Sequence, residues 1–255
     1  MSAVRVVVAG ARGRMGQALI EAAGQTPGVE LGAAIDLEGG VAGGVTIGTD
    51  AKAALADAHV LIDFTRPAGA LAHVAACIQA GRGIVIGTTG FEPEQLAVIR
   101  EAARRIPIVL APNMSIGVNV MLRLVETAAR ALGPDYDIEV FEIHHKRKVD
   151  APSGTALKLG EVAARGRDTT LDRDAVYARH GVTGERRAGS IGFSVARGGD
   201  VVGDHTVYFA GTGERIELTH RSSSRATYAQ GAMRAAQFVA GKPPGLYDMG
   251  DVLGL

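Results

Sequence analysis

The sequence predicts an α/β protein: a doubly wound parallel sheet followed by a second, α+β domain. Three observations carry that prediction. Short β-branched runs alternate with helical segments through the first half of the chain. A glycine-rich turn joins the first run to the first helix. The second half changes pattern and gathers its strands together.

Taken in order, Val4 to Ala9 is a β-branched run with no alternation, the mark of a strand buried on both faces. Glycines at 10, 13 and 16 follow, then a helix over about 15–23 with Ala18, Leu19 and Ala22 on one face. Residues 31–35 form a second strand that ends at Asp36. Residues 59–64 form the next, followed by a helix over 67–80, with Pro67 suited to its first turn and Gly81 to its end. Residues 84–86 make a strand that enters Gly87-Thr88-Thr89-Gly90, residues 93–104 are helical, and 108–110 close the series. This βαβα order implies a parallel sheet with helices on both faces.

Ligands of such sheets sit at the carboxyl ends of the strands. Four segments therefore converge: 10–16, Asp36, 87–89 and 111–114. Glycines let the first turn approach a pyrophosphate, and the following helix start offers backbone N–H donors. Asp36 stands where a carboxylate accepts a ribose hydroxyl. The spacing is Gly-x-x-Gly-x-x-Gly, and a glycine trio alone also describes an ordinary tight turn. With the strand before, the helix after and the acid at the second strand end, the reading is a Rossmann-type dinucleotide-binding domain.

Directly after Pro112-Asn113 the second half opens with a long helix whose apolar positions run from Val118 to Leu132, stopped by Gly133. Residues 137–143 read as a strand, and Ser153-Gly154-Thr155 starts a helix to about 164. Residues 165–189 read as polar and mostly irregular. Strands follow at 191–195, 206–209 and 215–219, the first and third alternating as half-buried strands do, with a turn at 211–213. A final helix over 226–239 returns to the first domain. The expected division is 1–114 plus 225–255 for the dinucleotide-binding domain, and 115–224 for a substrate-binding and oligomerisation domain.

Composition narrows the function. Lys+Arg and Asp+Glu are both 27 in 255 residues, so zero net charge argues against broad binding to nucleic acid or an anionic membrane. No apolar run is long enough to span a bilayer, and no signal peptide is visible. The single Cys77 cannot form an internal disulfide and reads as a packing residue, which fits a cytoplasmic protein.

The chemistry concentrates at residues 142–156, Glu-Ile-His-His-Lys-Arg-Lys-Val-Asp-Ala-Pro-Ser-Gly-Thr-Ala. Cations and helix-start donors there suit a carboxylate or phosphate, and imidazoles handle protons near neutral pH. Successive strand residues face opposite ways, so His144 and His145 do not chelate one metal ion, and no metal-ligand spacing appears elsewhere. The run Lys146-Arg147-Lys148 is too short and isolated for a nucleic-acid patch. Solvated charge and satisfied core histidines are the plain structural readings. An anionic-substrate site explains more of the stretch.

Together with Gly-Ala-Arg-Gly-Arg-Met-Gly (10–16), Ile-Asp-Phe-Thr-Arg-Pro (62–67), Val-Ile-Gly-Thr-Thr-Gly-Phe (85–91), Asn-Met-Ser-Ile-Gly-Val-Asn (113–119), Thr-Gly-Glu-Arg (183–186) and the tail at 245–253, this stretch resembles the dihydrodipicolinate reductase family over nearly the whole chain. The resemblance implies reduction of a cyclic imine dicarboxylate by NADH or NADPH for diaminopimelate and lysine synthesis. It implies His144 as acid/base and Lys148 as proton donor or electrostatic partner. His145 would contact substrate, and the backbone N–H groups of Gly154 and Thr155 would hold a carboxylate. Cofactor contacts would fall at Gly10, Ala11, Arg12, Gly13, Arg14, Met15, Asp36, Gly87, Thr88, Thr89, Ala111, Pro112, Asn113 and Met114. Family members are usually homotetramers joined through the sheets of their substrate domains.

Some relatives place an arginine directly after the acid that ends the second strand. Leu37 stands there in this chain. A carboxylate suits the ribose diol of NADH and repels the phosphate of NADPH, so NADH preference is expected, with Arg12 or Arg14 able to supply the missing charge. The alternatives are a dehydrogenase for another small carboxylate, or a non-catalytic dinucleotide sensor. The paired histidines beside Lys148 argue against a sensor.

Overall fold

In the computed structural model, which describes residues 3–255, the chain divides into two compact units. One runs up to Ile116 and takes in Arg225–Leu255, and the other is Gly117–Ser224.

The first unit is built as β1 (Val4–Ala9), α1 (Arg14–Gln25), β2 (Val29–Ile35), β3 (Gly40–Ala42), β4 (Val45–Gly48), α2 (Ala51–Leu55), β5 (Val60–Asp63), α3 (Pro67–Ala80), β6 (Gly83–Ile86), α4 (Pro93–Ala102) and β7 (Pro107–Leu110). Its eight strands lie in the order β13-β7-β6-β5-β1-β2-β4-β3, where β13 (Gly245–Tyr247) comes from the far end of the chain. The pairs are parallel except β3 with β4. Alternate strand residues serve two cores. Val6, Val8, Ile62 and Val85 face one side with Leu19 and Met233. Val7, Leu61, Ile84 and Ile86 face the other with Val74, Cys77 and Ile99. Apolar burial on both faces is why these strands read as unbroken β-branched runs. Cys77 is fully buried, and burial pushes its thiol up to about 12, so it packs as an apolar group. α3 ends on Gly81 in the left-handed region (φ 63), with the Arg82 N–H returning to the Cys77 carbonyl.

The chain continues through α5 (Ile116–Leu132), β8 (Asp137–His144), α6 (Gly154–Gly166), α7 (Leu171–Asp174), β9 (Ala175–Val176), β10 (Ile191–Arg197), β11 (Gly203–Ala210) and β12 (Arg215–Ser222). Five strands of the second unit lie in the order β12-β11-β8-β10-β9. β8 is central, parallel to β10 and antiparallel to β11. One face of this sheet buries Ile138, Val140, Phe193, Val207 and Phe209 against Val125 and Ala129 of α5 and Leu159 and Ala163 of α6. The chain then returns to the first unit as α8 (Ala226–Val239), β13 (Gly245–Tyr247) and α9 (Met249–Leu253), and α8 contributes Met233, Ala236 and Val239 to its core.

Several elements differ from the sequence reading. The long helix starts at Ile116, not directly after Asn113, because the Asn113 side chain accepts from the Ser115 N–H and holds a turn first. β10 does not alternate as expected: Ile191, Gly192 and Phe193 are all buried. Gly192 is covered because the Glu139 carboxylate lies where its Cβ would be. The segment 165–189 contains α7 and β9, each too short to show a period. β3, β4, α2, β13 and α9 are likewise three to five residues long and were not expected. Among the described residues, no helix is long and apolar enough to cross a membrane, and no group of three or more His, Cys, Asp or Glu could hold a metal ion.

Candidate active site

The centre of the second unit's polar chemistry is the carboxyl end of β8. Alternation along the strand sends Glu142 and His144 to the same face as the buried Ile138 and Val140. Glu142 is fully buried, and it is surrounded by donors. Arg197, at the end of β10, donates to both its oxygens at 2.7 and 2.9 Å. The Ser153 N–H donates to Oε1 at 3.0 Å, and His144 Nδ1 lies 2.6 Å from Oε2. Burial alone would raise this carboxyl, but the bonds from Arg197, His144 and Ser153 outweigh it and hold Glu142 below the usual range. Glu142 is therefore ionised and can only accept, which places a proton on His144 Nδ1. Nε2 is left as the working atom. It lies close to β11, for a Cβ on Gly203 would stand 2.8 Å from it.

A second imidazole lies beside the first. His205, opposite Glu142 on β11, is 4% exposed and meets His144 edge-on with ring centroids 5.0 Å apart. Its Nε2 is 3.0 Å from Ser153 Oγ, and its Nδ1 is a buried atom with no partner. Burial, reinforced by the neighbouring His144, depresses its pKa to about 4, so His205 is neutral at physiological pH. Ser153 also caps α6 by accepting from the Ala156 N–H at 3.1 Å. Gly154 and Thr155 form the first turn of that 13-residue helix, which carries no acid there. Its positive dipole end thus stands beside the Glu142–His144 pair.

His145 leaves the strand half-buried, with an Nδ1 that is buried and unpartnered. Lys148 is engaged by Asp150 at 2.8 Å, and this contact holds the Asp150 carboxyl below its usual range. The structure thus joins Glu142, His144, Ser153, Arg197 and His205 into one bonded cluster. Arg197 and His205 were not singled out from sequence, since each lies more than 50 residues from its partner here. His205 lies between Asp204 and Thr206 in the polar start of β11, which carries no sign of a site.

The first unit presents its expected ligand segments at the carboxyl ends of β1, β2, β6 and β7. Gly10 takes a left-handed φ of +69, and a Cβ on Gly16 would stand 2.1 Å from the Gly10 carbonyl oxygen. Only glycine permits that closeness of turn and helix. α1 begins on Gly13 with no side-chain cap and no acid in its first turn. The N–H groups at Arg14 and Met15 therefore suit an anion such as a pyrophosphate, and the uncapped start is what fits this cradle to a dinucleotide. Asp36 accepts from the Arg12 and Leu37 N–H groups, both at 2.8 Å. The Arg12 guanidinium lies across the following loop, donating to the Glu38 and Gly39 carbonyls at 3.1 and 2.6 Å. Thr89 and Pro112 are exposed, Gly87 and Asn113 half-buried, and Thr88, Ala111 and Met114 buried. Those buried side chains pack inward, so only their backbone can meet a ligand.

Comparison with known proteins places the whole chain in one family. Residues 4–114 match the family model for the dihydrodipicolinate reductase N-terminus, and 117–253 match that for the C-terminus. The chain is 58% identical over 263 residues to a 4-hydroxy-tetrahydrodipicolinate reductase from Bordetella pertussis, covering 98% of this chain and 97% of that one. It is 55% identical over 267 residues to the Nitrosospira multiformis protein of the same name, covering 100% and 99%. The dipicolinate-bound dihydrodipicolinate reductase from Paenisporosarcina sp. TG-14 superposes with a TM-score of 0.80 at 27% identity, covering 96% of this chain and 97% of that one. A diaminopimelate dehydrogenase from C. glutamicum shares the fold alone, at 14% identity and a TM-score of 0.61 over 98% of this chain and 93% of that one. The chain belongs to the dihydrodipicolinate reductase family.

Proposed function

We propose that this protein reduces 4-hydroxy-tetrahydrodipicolinate, by way of dihydrodipicolinate, to tetrahydrodipicolinate on the route to diaminopimelate and lysine. The observation that carries this reading is the buried Glu142–His144 pair set beside the start of α6. Loss of the ring hydroxyl as water gives the conjugated dihydro form, to which a bound reduced dinucleotide would supply a hydride at one ring carbon while a proton completes the neighbouring one. His144 Nε2 serves as acid/base, with Glu142 holding the ring orientation and stabilising the imidazolium. Lys148 favours the developing negative charge, a role its ion pair with Asp150 supports better than direct proton donation. His145 contacts the substrate, and the Gly154 and Thr155 N–H groups receive a carboxylate. The segments 10–15, Asp36, 87–89 and 111–114 hold the dinucleotide.

NADH is the preferred donor. Asp36 is followed by Leu37, which is 95% exposed and offers no charge to a 2′-phosphate. Arg12 lies across the loop that follows and permits NADPH as a second donor. The protein works in the cytoplasm as a homotetramer, without nucleic-acid or membrane partners. The condensation product of pyruvate and aspartate semialdehyde, supplied with each cofactor, tests the reading through loss of reduced-nicotinamide absorbance. Consumption with both and a higher kcat/KM for NADH are expected. No consumption with either contradicts the activity, and a clear NADPH advantage contradicts the preference.

A further inference from the structure

The first unit buries a charged group for which the proposed reaction has no direct use. Asp63 ends β5 with no exposure, and four donor groups converge on its carboxylate. His73 Nδ1 lies 2.5 Å from Oδ2, the Thr65 N–H donates to Oδ1 at 2.9 Å, and Thr65 Oγ1 lies 3.0 Å from Oδ1 and 3.1 Å from Oδ2. Thr88 Oγ1 donates to Oδ1 at 2.6 Å. Burial works against the charge, yet the bonds from His73, Thr88 and Thr65 hold the carboxyl below its usual range. Packing alone would be met at lower cost by an apolar side chain. An ionised carboxylate differs in being acceptor-only with several lone pairs, so it can hold several donors at once.

The donors it holds belong to the ligand loops. Thr88 lies in the loop after β6, and the Gly87 N–H of that loop also bonds the Asp63 carbonyl at 2.8 Å. Thr65 lies in the loop after β5, and its methyl carbon stands 3.0 Å from where a Gly10 Cβ would be. The Phe64 ring fills the space that a side chain at Gly87 would need. Asp63 thus ties the first glycine turn, the loop after β5 and the loop after β6 to one point. We infer that Asp63, backed by His73, is a positioning residue for the reduced dinucleotide: it fixes the loops at Thr65 and Thr88 in the shape that receives the cofactor.

The inference rests on the dinucleotide reading above and deepens it. Direct titration of reduced-nicotinamide fluorescence tests it without turnover. Asp63→Ala and the near-isosteric Thr88→Val are compared with wild type for NADH Kd, KM for the dicarboxylate and Tm. About a tenfold rise in NADH Kd is expected for Asp63→Ala and about fivefold for Thr88→Val. For Asp63→Ala the dicarboxylate KM should be unchanged and kcat at saturating NADH should stay within about threefold, and Asp63→Asn should be intermediate. In the double variant the two losses should not add, since both break one bond network. Lower Tm with wild-type NADH Kd overturns the inference and leaves a structural staple. If Asp63→Ala does not fold, folded Thr88→Val with wild-type Kd overturns it equally. Wild type that fails to bind NADH overturns the dinucleotide reading itself.

Discussion

A fully buried carboxylate is stable only when its lone pairs are used, and Glu142 meets that condition with Arg197, Ser153 and His144. That arrangement fixes the tautomer of His144, which the sequence pattern pointed to without its partners. His205 meets a different condition, since it is buried without charge. Its pKa falls to about 4 from an ordinary 6.5, so the unfolded chain binds a proton in that interval and the folded chain does not. Its contribution to stability is therefore full above about pH 6.5 and is lost as pH falls toward 4. A shift of this size corresponds to something on the order of 3 kcal/mol. Urea unfolding from pH 7 to 4 should show a shallower acid loss for His205→Gln than for wild type. Equal slopes would remove His205 from the account. His205 was invisible as a site residue because its partners, Ser153 and His144, lie on other strands and loops.

At the scale of elements, α6 couples the Glu142–His144 pair to the proposed carboxylate cradle. Ser153 bonds the Ala156 N–H, faces His205 and donates its own N–H to Glu142. Ser153→Ala removes the first two and keeps the third. It should cost about 1 kcal/mol of stability, as lost helix caps do, and raise KM for the dicarboxylate several-fold. Thermal unfolding with steady-state kinetics checks both, and an unchanged KM would separate the cap from substrate binding. The elements that sequence revealed best are those whose burial is uniform: β1, β5 and β6 lose exposure on both faces and show it as apolar runs. β3, β4, α2 and β13 are short, so neither a period of two nor of 3.6 can develop in them. The three strands are held by their neighbours in the sheet, and α2 by its packing on β2 and α3, rather than by a pattern of their own.

For the whole molecule, the second unit's sheet has one face covered by α5 and α6. Phe141 and Ile143 on β8 and Tyr208 on β11 lie on the other face, half-buried in the single chain. Joining copies through these faces would complete their burial. Light scattering should give four times the chain mass of 26.3 kDa, and Phe141→Asp should lower it. A monomer at micromolar concentration contradicts the proposed tetramer.

In the proposed function the first unit binds the hydride donor and the second carries the proton chemistry on the dicarboxylate. His144→Ala tests it most directly, with kcat and NADH Kd measured on the same sample. A kcat lower by about 10²–10⁴-fold is expected, the range for loss of a general acid, with NADH Kd nearly unchanged. Turnover at the wild-type rate in that variant contradicts it.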